Sequence, residues 1–305
     1  MRFLNDSSLY RRVDHCLAWL KKLKAPAQGV VPERFHLYWF GEFGPKQAFA
    51  VKSVLATQNP RSEVWLWLDA ESGYDGHAAN LWLRPLLPRI AVHKYDPPVA
   101  AKGTPAEGRD DLQRPPLAVR RSNCFRFVTL YHHGGIYIDM DTMLVRDFGP
   151  LVAAFDDDFC YRWSAHMNFG NSAVLRLRKH SPVAWRILEH CAAQGSCRPR
   201  HVLNFAEQGD VDLLVLPCAA FDPLWPHVDG KDTSRATPFD EFLQFFQPRS
   251  ALLRKSASVR SLAEFFPGSF AYHWHNCWKE PEHEDSYFGL FDREFDERLA
   301  QRQAA

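Results

Sequence analysis

Short apolar runs alternate with amphipathic stretches along the first third of the chain. Residues 35–40 and 64–68 are compact runs of aromatic and aliphatic side chains, which is typical of buried strands. Residues 45–58 between them predict a helix, and residues 90–95 predict a third strand. Strands that alternate with helices indicate βαβ units and a mainly parallel sheet. The expected fold is therefore α/β, with a Rossmann-like sheet flanked by helices.

The pattern after these units is less regular. Residues 96–116 are rich in Pro, Gly and charge, and they predict a long loop. Residues 159–163 predict an edge strand. Residues 181–191 predict a helix, because Ser181 suits the N-cap and Pro182 suits the first helical position.

The most informative pattern lies between residues 121 and 148. Its first half has an apolar helical face, and Gly134 with Gly135 ends the helix, because glycine tolerates the left-handed backbone at a helix end. Residues 136–138 are a short β-branched and aromatic run that predicts a buried strand. This stretch is therefore interpreted as a helix, a glycine turn and a strand.

Two carboxylates, Asp139 and Asp141, follow that strand directly. Residues i and i+2 of an extended chain point the same way, and neighbouring carboxylates repel each other unless a cation lies between them. Oxygen ligands suit Mg²⁺ or Mn²⁺, which usually complete their shell with phosphates and water. The spacing predicts a site for a metal and a diphosphate; a solvated turn is the alternative that a bare Asp-x-Asp leaves open.

Residues 121–148 resemble the donor-binding segment of the DXD glycosyltransferases that share a sugar-binding region. That group includes α-1,4-galactosyl- and α-1,4-N-acetylglucosaminyltransferases, the yeast initiating mannosyltransferase, and bacterial capsule and lipopolysaccharide enzymes. Its pattern is Ser-Asp-x-x-Arg-x-x-x-Leu followed by Gly-Gly-x-Tyr-x-Asp-x-Asp, and Asn123 stands here in place of the first Asp. The matching positions are Ser122, Arg126, Leu130, Gly134, Gly135, Tyr137, Asp139 and Asp141.

The resemblance implies a GT-A fold, retention of anomeric configuration, a nucleotide sugar as donor (expected to be a UDP-sugar) and Mn²⁺ or Mg²⁺ as cofactor. It implies that Asp139, Asp141 and Arg126 are the catalytic residues. Asp141 would be the main metal ligand, Asp139 would hold ribose or sugar hydroxyls, and Arg126 would grip the donor sugar or its phosphate. Asn123 is expected to change the choice of donor sugar.

Further donor contacts are expected from segments that resemble the family elsewhere. Tyr38, Trp39 and Gly41 end the first strand and would offer an aromatic face to uracil, with a plain core role for Trp39 as the alternative. Asn168 and Asn171 resemble an Asn-rich strand entry that faces the sugar, although turn chemistry explains them equally well. The expected nucleotide-sugar contacts are Tyr38, Trp39, Gly41, Asn123, Arg126, Gly135, Tyr137, Asp139, Asn168, Asn171 and Trp278.

Residues 270–279 form a second cluster, Phe-Ala-Tyr-His-Trp-His-Asn-Cys-Trp-Lys, which resembles a late His-x-Trp signature of the family. His273 is expected to join Asp139 and Asp141 as a metal ligand, and a core histidine is the alternative. His275 is a weaker candidate, and Lys279 could neutralise the leaving phosphates. Upstream, residues 213–217 and 220–225 resemble a Leu-Pro…Phe-Tyr-Pro-Ile-x-Trp segment of the galactosyltransferases.

Composition narrows the class of protein. The 305 residues fit one large domain or two small ones, and 23 Phe and 10 Trp are ample for a core. A net charge of +1 gives no global field for nucleic acid or an anionic membrane. The seven cysteines include no Cys-x-x-Cys pair, so zinc and redox motifs are unsupported and free thiols in a reducing compartment are expected.

The chain is expected to divide into three parts. Residues 1–30 would hold an amphipathic helix over 5–24, packed on the catalytic domain, with a membrane-surface or partner helix as the alternative. Residues 31–290 would form the catalytic domain and residues 291–305 a C-terminal tail. No targeting or membrane-spanning stretch is visible, which favours a bacterial cytoplasmic enzyme or a chain trimmed of a membrane anchor. Contact with the inner face of the membrane is left open, and a secreted effector is the alternative.

The predicted function is transfer of a hexose or N-acetylhexosamine from a nucleotide sugar to a glycan or lipid-linked glycan acceptor, in bacterial surface polysaccharide synthesis. Two alternatives are kept. One is an effector or toxin that glycosylates protein, separable by its acceptor. The other is a catalytically silent nucleotide-sugar-binding protein, made conceivable by Asn123.

Overall fold

The computed structural model describes residues 2–24, 32–72, 74–163, 170–198, 211–231, 237–252 and 259–304. The strands are β1 (Arg2–Phe3), β2 (Arg34–Trp39), β3 (Glu63–Asp69), β4 (Ala91–Tyr95), β5 (Gly135–Ile138), β6 (Thr142–Leu144), β7 (Phe159–Arg162), β8 (Gly170–Leu177), β9 (Leu214–Leu216) and β10 (Ala271–His273). The α-helices are α1 (Val13–Leu20), α2 (Pro45–Thr57), α3 (Pro97–Ala100), α4 (Asp110–Gln113), α5 (Ala118–His133), α6 (Gly149–Ala154), α7 (Pro182–Gln194), α8 (Trp225–Val228) and α9 (Tyr287–Ala304).

The described strands form one eight-stranded sheet in the order β1-β9-β7-β8-β5-β2-β3-β4, and a two-stranded sheet of β10 and β6. In the large sheet β8 runs antiparallel to both neighbours, and all other neighbouring strands are parallel. The predicted fold class, an α/β domain with a Rossmann-like, mainly parallel sheet flanked by helices, is confirmed.

Two hydrophobic cores lie on opposite faces of the sheet, because successive strand residues point to opposite sides. Phe35 and Leu37 of β2 belong to the core that includes α1, α2 and α9, whereas Tyr38 belongs to the core under α5 and α7. Both cores consist mainly of fully buried aromatic and aliphatic side chains. The sheet is therefore held from both faces, as burial of a parallel sheet requires.

The glycine pair between α5 and β5 is required by close backbone approach. Gly134 and Gly135 have φ values of +65° and +106°. A Cβ at Gly135 would lie 2.4 Å from the carbonyl oxygen of Arg34, and one at Gly134 would lie 2.6 Å from the backbone nitrogen of Lys179. Only glycine fits both the left-handed backbone and this space, so the turn brings α5 directly back onto the sheet.

The small sheet connects the C-terminal part of the chain to the end of β5. Strand β10 pairs antiparallel with β6, with His273 opposite Thr142. Because β6 begins one residue after Asp141, this pairing places residues 273–278 beside the two carboxylates.

Several predicted elements have different bounds or places. The helix expected over residues 5–24 is limited to α1, preceded by a 3₁₀ turn at Ser7–Tyr10 and by β1. The loop expected over 96–116 contains the short helices α3 and α4. The edge-strand prediction for 159–163 is wrong, since β7 lies between β8 and β9. Every side chain of β7 is buried, but a short apolar run in the sequence does not show whether a strand has one neighbour or two.

The C-terminal residues from Tyr287 to Ala304 form helix α9, whose Phe291, Phe295 and Leu299 are buried. It packs against α2, where Lys52 pairs with Asp292 and Asp296. The division at residues 30 and 290 stays a prediction. Among the helices of the described residues, none has both the length and the apolar composition needed to cross a lipid bilayer.

Candidate functional site

Asp139 follows β5 at the carboxyl edge of the sheet and is held by two side chains. The guanidinium of Arg126 donates to both its oxygens, from Nη1 to Oδ2 at 3.2 Å and from Nη2 to Oδ1 at 2.9 Å. The Tyr137 hydroxyl donates to Oδ1 at 2.5 Å. Bidentate Arg–carboxylate pairs are strong and geometrically specific, so Asp139 has one fixed orientation.

Arg126 uses its donors inside the protein. Besides Asp139, its Nη1 donates to the carbonyl and hydroxyl oxygens of Ser172, and its Nε and Nη2 donate to the carbonyl and hydroxyl oxygens of Ser122. The side chain is 2% exposed. The predicted grip on donor sugar or phosphate would require Arg126 to give up these acceptors; in this structure Arg126 orients Asp139.

Asp141 is buried and lies among residues of the C-terminal cluster. Its Oδ1 is 3.2 Å from Nε2 of His273, and its Oδ2 accepts the backbone N–H of Asn276 at 2.8 Å. The backbone carbonyl of Asp141 also accepts from the N–H of Trp274. The chain after β10 therefore wraps around this carboxylate.

The charges of Asp141 and His273 stabilise each other. Burial disfavours the imidazolium, but the carboxylates of Asp141, Asp222 and Asp139 outweigh burial and raise the pKa of His273 to about 9. Burial alone would raise the pKa of Asp141, but His273, His275 and the N–H of Asn276 together hold it well below its usual value. A protonated His273 would balance the negative charge of the buried Asp141 carboxylate.

Asp139, Asp141 and His273 can share one metal ion. Each offers one ligand atom, and these atoms lie within 4.8 Å of one another. Two carboxylate oxygens and one imidazole nitrogen suit Mn²⁺ and Mg²⁺ better than a soft ion. The residues present therefore fit the divalent cation that the DXD pattern implies.

These ligands line a cavity of about 390 Å³ at the carboxyl edge of the sheet, where ligands of open α/β sheets collect. Trp39 and Trp278 form one wall, with ring centroids 4.9 Å apart. Tyr38 lies deeper, stacked on Phe125 at 4.6 Å, and its hydroxyl donates to the buried Asp69. An aromatic wall thus stands beside the carboxylates.

Two buried amides line the same cavity, and each has a side-chain atom without a hydrogen-bond partner among the described residues. Asn123 donates from Nδ2 to the carbonyl of Cys197 at 3.2 Å, which leaves its Oδ1 buried and unpaired among the described residues. Asn171 accepts at Oδ1 from the N–H of Ala173 at 2.9 Å, which leaves its Nδ2 in the same state. Asn123 therefore has spare acceptor capacity and Asn171 has spare donor capacity.

Other predicted residues lie elsewhere. Gly135 is at the opposite end of β5, against Arg34, and does not line the cavity. Gly41 follows β2 with φ +124° and does not line it either. Lys279 lines a neighbouring cavity, and Asn168 is outside the described residues.

Sequence reasoning missed contacts made by backbone groups and by distant side chains. Examples are the Asn276 N–H on Asp141, the carbonyl of Cys197 on Asn123, and Ser172 beneath Arg126. A backbone group has no residue-type signal. Asp222, 2.7 Å from His275, was also missed, because an isolated carboxylate has no motif of its own in the sequence.

Two carboxylates, a histidine and an aromatic wall thus lie together at the carboxyl edge of an α/β sheet, and a family comparison matches the segment that carries the two carboxylates. Residues 45–158 match the sequence model described as "Glycosyltransferase sugar-binding region containing DXD motif". The segment that contains Asp139 and Asp141 is thus similar to the sugar-binding region of DXD glycosyltransferases, as the sequence predicted. Comparison with curated protein sequences gave no significant match.

Solved glycosyltransferases are distantly similar in structure. The PaToxG glycosyltransferase is 15% identical, with 67% of this chain and 78% of that chain covered and a TM-score of 0.48. The galactosyltransferase LgtC, solved with donor and acceptor sugar analogues, is 14% identical over 88% and 95%, with a TM-score of 0.47. The bifunctional glycosyltransferase WbbM is 9% identical, with 91% of this chain and 51% of that chain covered and a TM-score of 0.45. At these scores the likeness adds nothing to the functional argument.

Proposed function

We propose that this protein is a metal-dependent, retaining glycosyltransferase of the GT-A type. It would transfer a hexose or N-acetylhexosamine from a UDP-sugar to a glycan or lipid-linked glycan. The observation that carries the proposal is the convergence of Asp139, Asp141 and His273 in one cavity beside the Trp39–Trp278 wall. Retention, the glycan acceptor, bacterial surface polysaccharide synthesis and a cytoplasmic site of action rest on the family resemblance.

Asp139, Asp141 and His273 would hold Mn²⁺ or Mg²⁺. A divalent ion bound there supplies Lewis-acid stabilisation of the departing diphosphate. Arg126 and Tyr137 fix the orientation of Asp139 before any substrate arrives. Preorganised groups cost no reorganisation during reaction, so the arrangement suits catalysis better than passive binding.

The donor would span the cavity from the aromatic wall to the buried amides. Uracil would lie against Trp39 and Trp278, because flat rings with polar edges stack favourably on aromatic faces. The diphosphate would then lie beside Asp141 and His273. The sugar would reach Asn123 Oδ1 and Asn171 Nδ2, whose unused hydrogen-bonding capacity two sugar hydroxyls can satisfy.

The test is donor hydrolysis by the purified protein without an added acceptor. UDP-Glc, UDP-Gal, UDP-GlcNAc and UDP-GalNAc would each be incubated with Mn²⁺ or with excess EDTA, and GDP-mannose would serve as the control donor. We expect Mn²⁺-dependent release of UDP from at least one donor, and ¹H NMR should detect the α-anomer of the sugar as the first product from an α-linked donor.

Hydrolysis that persists in EDTA would overturn the metal dependence, and a β-anomer as first product would overturn retention. Binding of UDP-sugars without turnover on any donor would favour the silent binding protein instead. Transfer to protein but to no glycan would favour the protein-modifying alternative.

A further inference from the structure

A buried carboxylate, Asp222, lies behind the two histidines of the C-terminal cluster. It is fully buried, between β9 and α8, and does not line the donor cavity. Its Oδ2 is 2.7 Å from Nε2 of His275 and 3.9 Å from Nδ1 of His273. Its Oδ1 has no hydrogen-bond partner among the described residues. Since burying a carboxylate is costly unless it is paired, the position calls for an explanation.

The segment that Asp222 contacts has an unusual backbone. His275 and Asn276 have φ values of +47° and +59°, so two consecutive non-glycine residues adopt the left-handed conformation. Such residues are uncommon and persist where their surroundings hold them. This turn is what directs the N–H of Asn276 toward Asp141.

The His275 ring is enclosed on several sides. It stacks on His273 with ring centroids 3.8 Å apart, and it contacts Trp225 at 4.7 Å and Phe242 at 4.4 Å. Rings can slide over one another, whereas the hydrogen bond to Asp222 fixes the in-plane position of the imidazole. The pair thus joins a buried carboxylate to a turn in the left-handed conformation.

We propose that Asp222 is a positioning residue for the metal site, acting through His275. The hydrogen bond to His275 holds the left-handed turn, and the turn holds Asn276 N–H and His273 against Asp141. The ligand set is thereby formed before the cation binds. The effect on metal binding rests on the proposed function. The role of Asp222 in holding the turn does not depend on that function. Outer contacts of this kind orient metal ligands.

A second metal ion is the competing explanation, because ligand atoms of Asp222, His273 and His275 also lie within 4.8 Å of one another. The 2.7 Å separation of Asp222 and His275 is a hydrogen-bond distance. His273 also turns its other nitrogen toward Asp141. Both observations favour a hydrogen-bonded pair, and the stoichiometry of Mn²⁺ binding decides between the two.

The experiment compares Asp222→Asn with Asp158→Asn in the metal-free protein. Asp158 is the matched control, a buried carboxylate that accepts from Arg178 and Ser181 away from the cavity. Hydrogen–deuterium exchange should accelerate at least about tenfold over residues 273–278 in Asp222→Asn and remain unchanged there in Asp158→Asn. Unchanged protection in Asp222→Asn would overturn the proposal. If Asp222→Asn does not fold, His275→Asn breaks the same contact from its other end, and asparagine tolerates the left-handed turn.

The Mn²⁺ affinity of the same variants is then measured by electron paramagnetic resonance of the free ion. We expect the Kd of Asp222→Asn to rise roughly 10- to 100-fold, with one ion per wild-type chain and no change in Asp158→Asn. Two bound ions, one of them lost in Asp222→Asn, would overturn the positioning role in favour of a second metal site. A wild type that binds no Mn²⁺ would refute the metal-dependent function, while the exchange result would still decide the role of Asp222.

Discussion

The carboxylate of Asp141 accepts a hydrogen bond from the backbone N–H of Asn276, 135 positions further along the chain, at 2.8 Å. The same carboxylate faces His273, which β10 places opposite β6. This carboxylate beyond the end of β5 is therefore buried within a network of hydrogen bonds. The proposed metal site depends on contacts between two distant parts of the chain, and the predictions below test those contacts.

Asp141→Asn should abolish Mn²⁺-dependent donor hydrolysis and lower Mn²⁺ affinity by at least about 100-fold, or roughly 3 kcal/mol. The amide keeps the size of the side chain but loses the charge that attracts the ion. Free Mn²⁺ would be measured by electron paramagnetic resonance, and circular dichroism would establish that the variant is folded. A folded variant with wild-type turnover would remove Asp141 from the metal site.

His273→Gln should reduce turnover on the order of 100-fold, about 3 kcal/mol of lost leaving-group stabilisation. His227→Gln is the control, since His227 is paired with Asp240 outside the donor cavity. Steady-state kinetics at several Mn²⁺ concentrations separate weaker metal binding from a slower chemical step. If His273→Gln had wild-type kinetics at all Mn²⁺ concentrations, His273 would have a purely structural role.

Asn123→Asp should destabilise the protein by roughly 1–3 kcal/mol, because a carboxylate cannot donate to the carbonyl of Cys197 and would oppose it. The variant should also change the order of preference among the four UDP-sugars, since the group that faces the cavity is altered. Thermal unfolding and relative turnover on each donor are the measurements. Equal stability with an unchanged donor order would mean that Asn123 neither anchors to Cys197 nor contacts the sugar.

Lys46 should stabilise the conformation of the segment that carries Trp278. Its buried ammonium donates to the carbonyls of Cys277, Trp278 and Glu280, at 2.7, 3.0 and 2.5 Å. Lys46→Met would leave these buried acceptors unpaired, and each unpaired acceptor would lower the free energy of unfolding by roughly 1–3 kcal/mol. We expect lower thermal stability and a raised KM for the donor. Lys52→Met is the matched control on the same helix, and equal effects of both variants would argue against a specific role for Lys46.

His36 should make stability depend on pH below neutrality. Burial, only partly offset by the carbonyl of Gly134, lowers the pKa of His36 to about 3, against about 6.5 in the unfolded chain. The unfolded state therefore binds the proton first. The contribution is fully present above pH 6.5 and is lost as the pH falls toward 3, at up to about 1.4 kcal/mol per pH unit.

The measurement is urea unfolding between pH 4 and pH 7 for wild type and His36→Gln. Glutamine can still accept from Trp67 and donate to Gly134, the two partners of the imidazole, but it does not titrate. The difference in unfolding free energy between the two proteins should change steadily over this range. A constant difference would mean that His36 is not buried as a neutral imidazole.

Local pattern determined much of the fold. The strands β2, β3 and β5 and the helices α2 and α5 agree with the predicted bounds to within a few residues. Apolar periodicity and turn residues act over a few positions, so they are visible in the sequence. The place of Asp139 and Asp141 at the end of a buried strand follows from the same local rules.

Tertiary structure decided which groups complete the site. The placement of β7 inside the sheet depends on its pairing with β9, more than 50 residues later. The contacts of Arg126 with Ser172, of Asp222 with His275 and of Lys46 with three carbonyls likewise join segments far apart in sequence. Such contacts have no local signature, because backbone acceptors are the same in every residue and the direction of a long side chain is set by packing. The sequence by itself determined the strand, the carboxylate pair and the resemblance to the DXD glycosyltransferases, whereas only the folded chain decided how each proposed ligand is held.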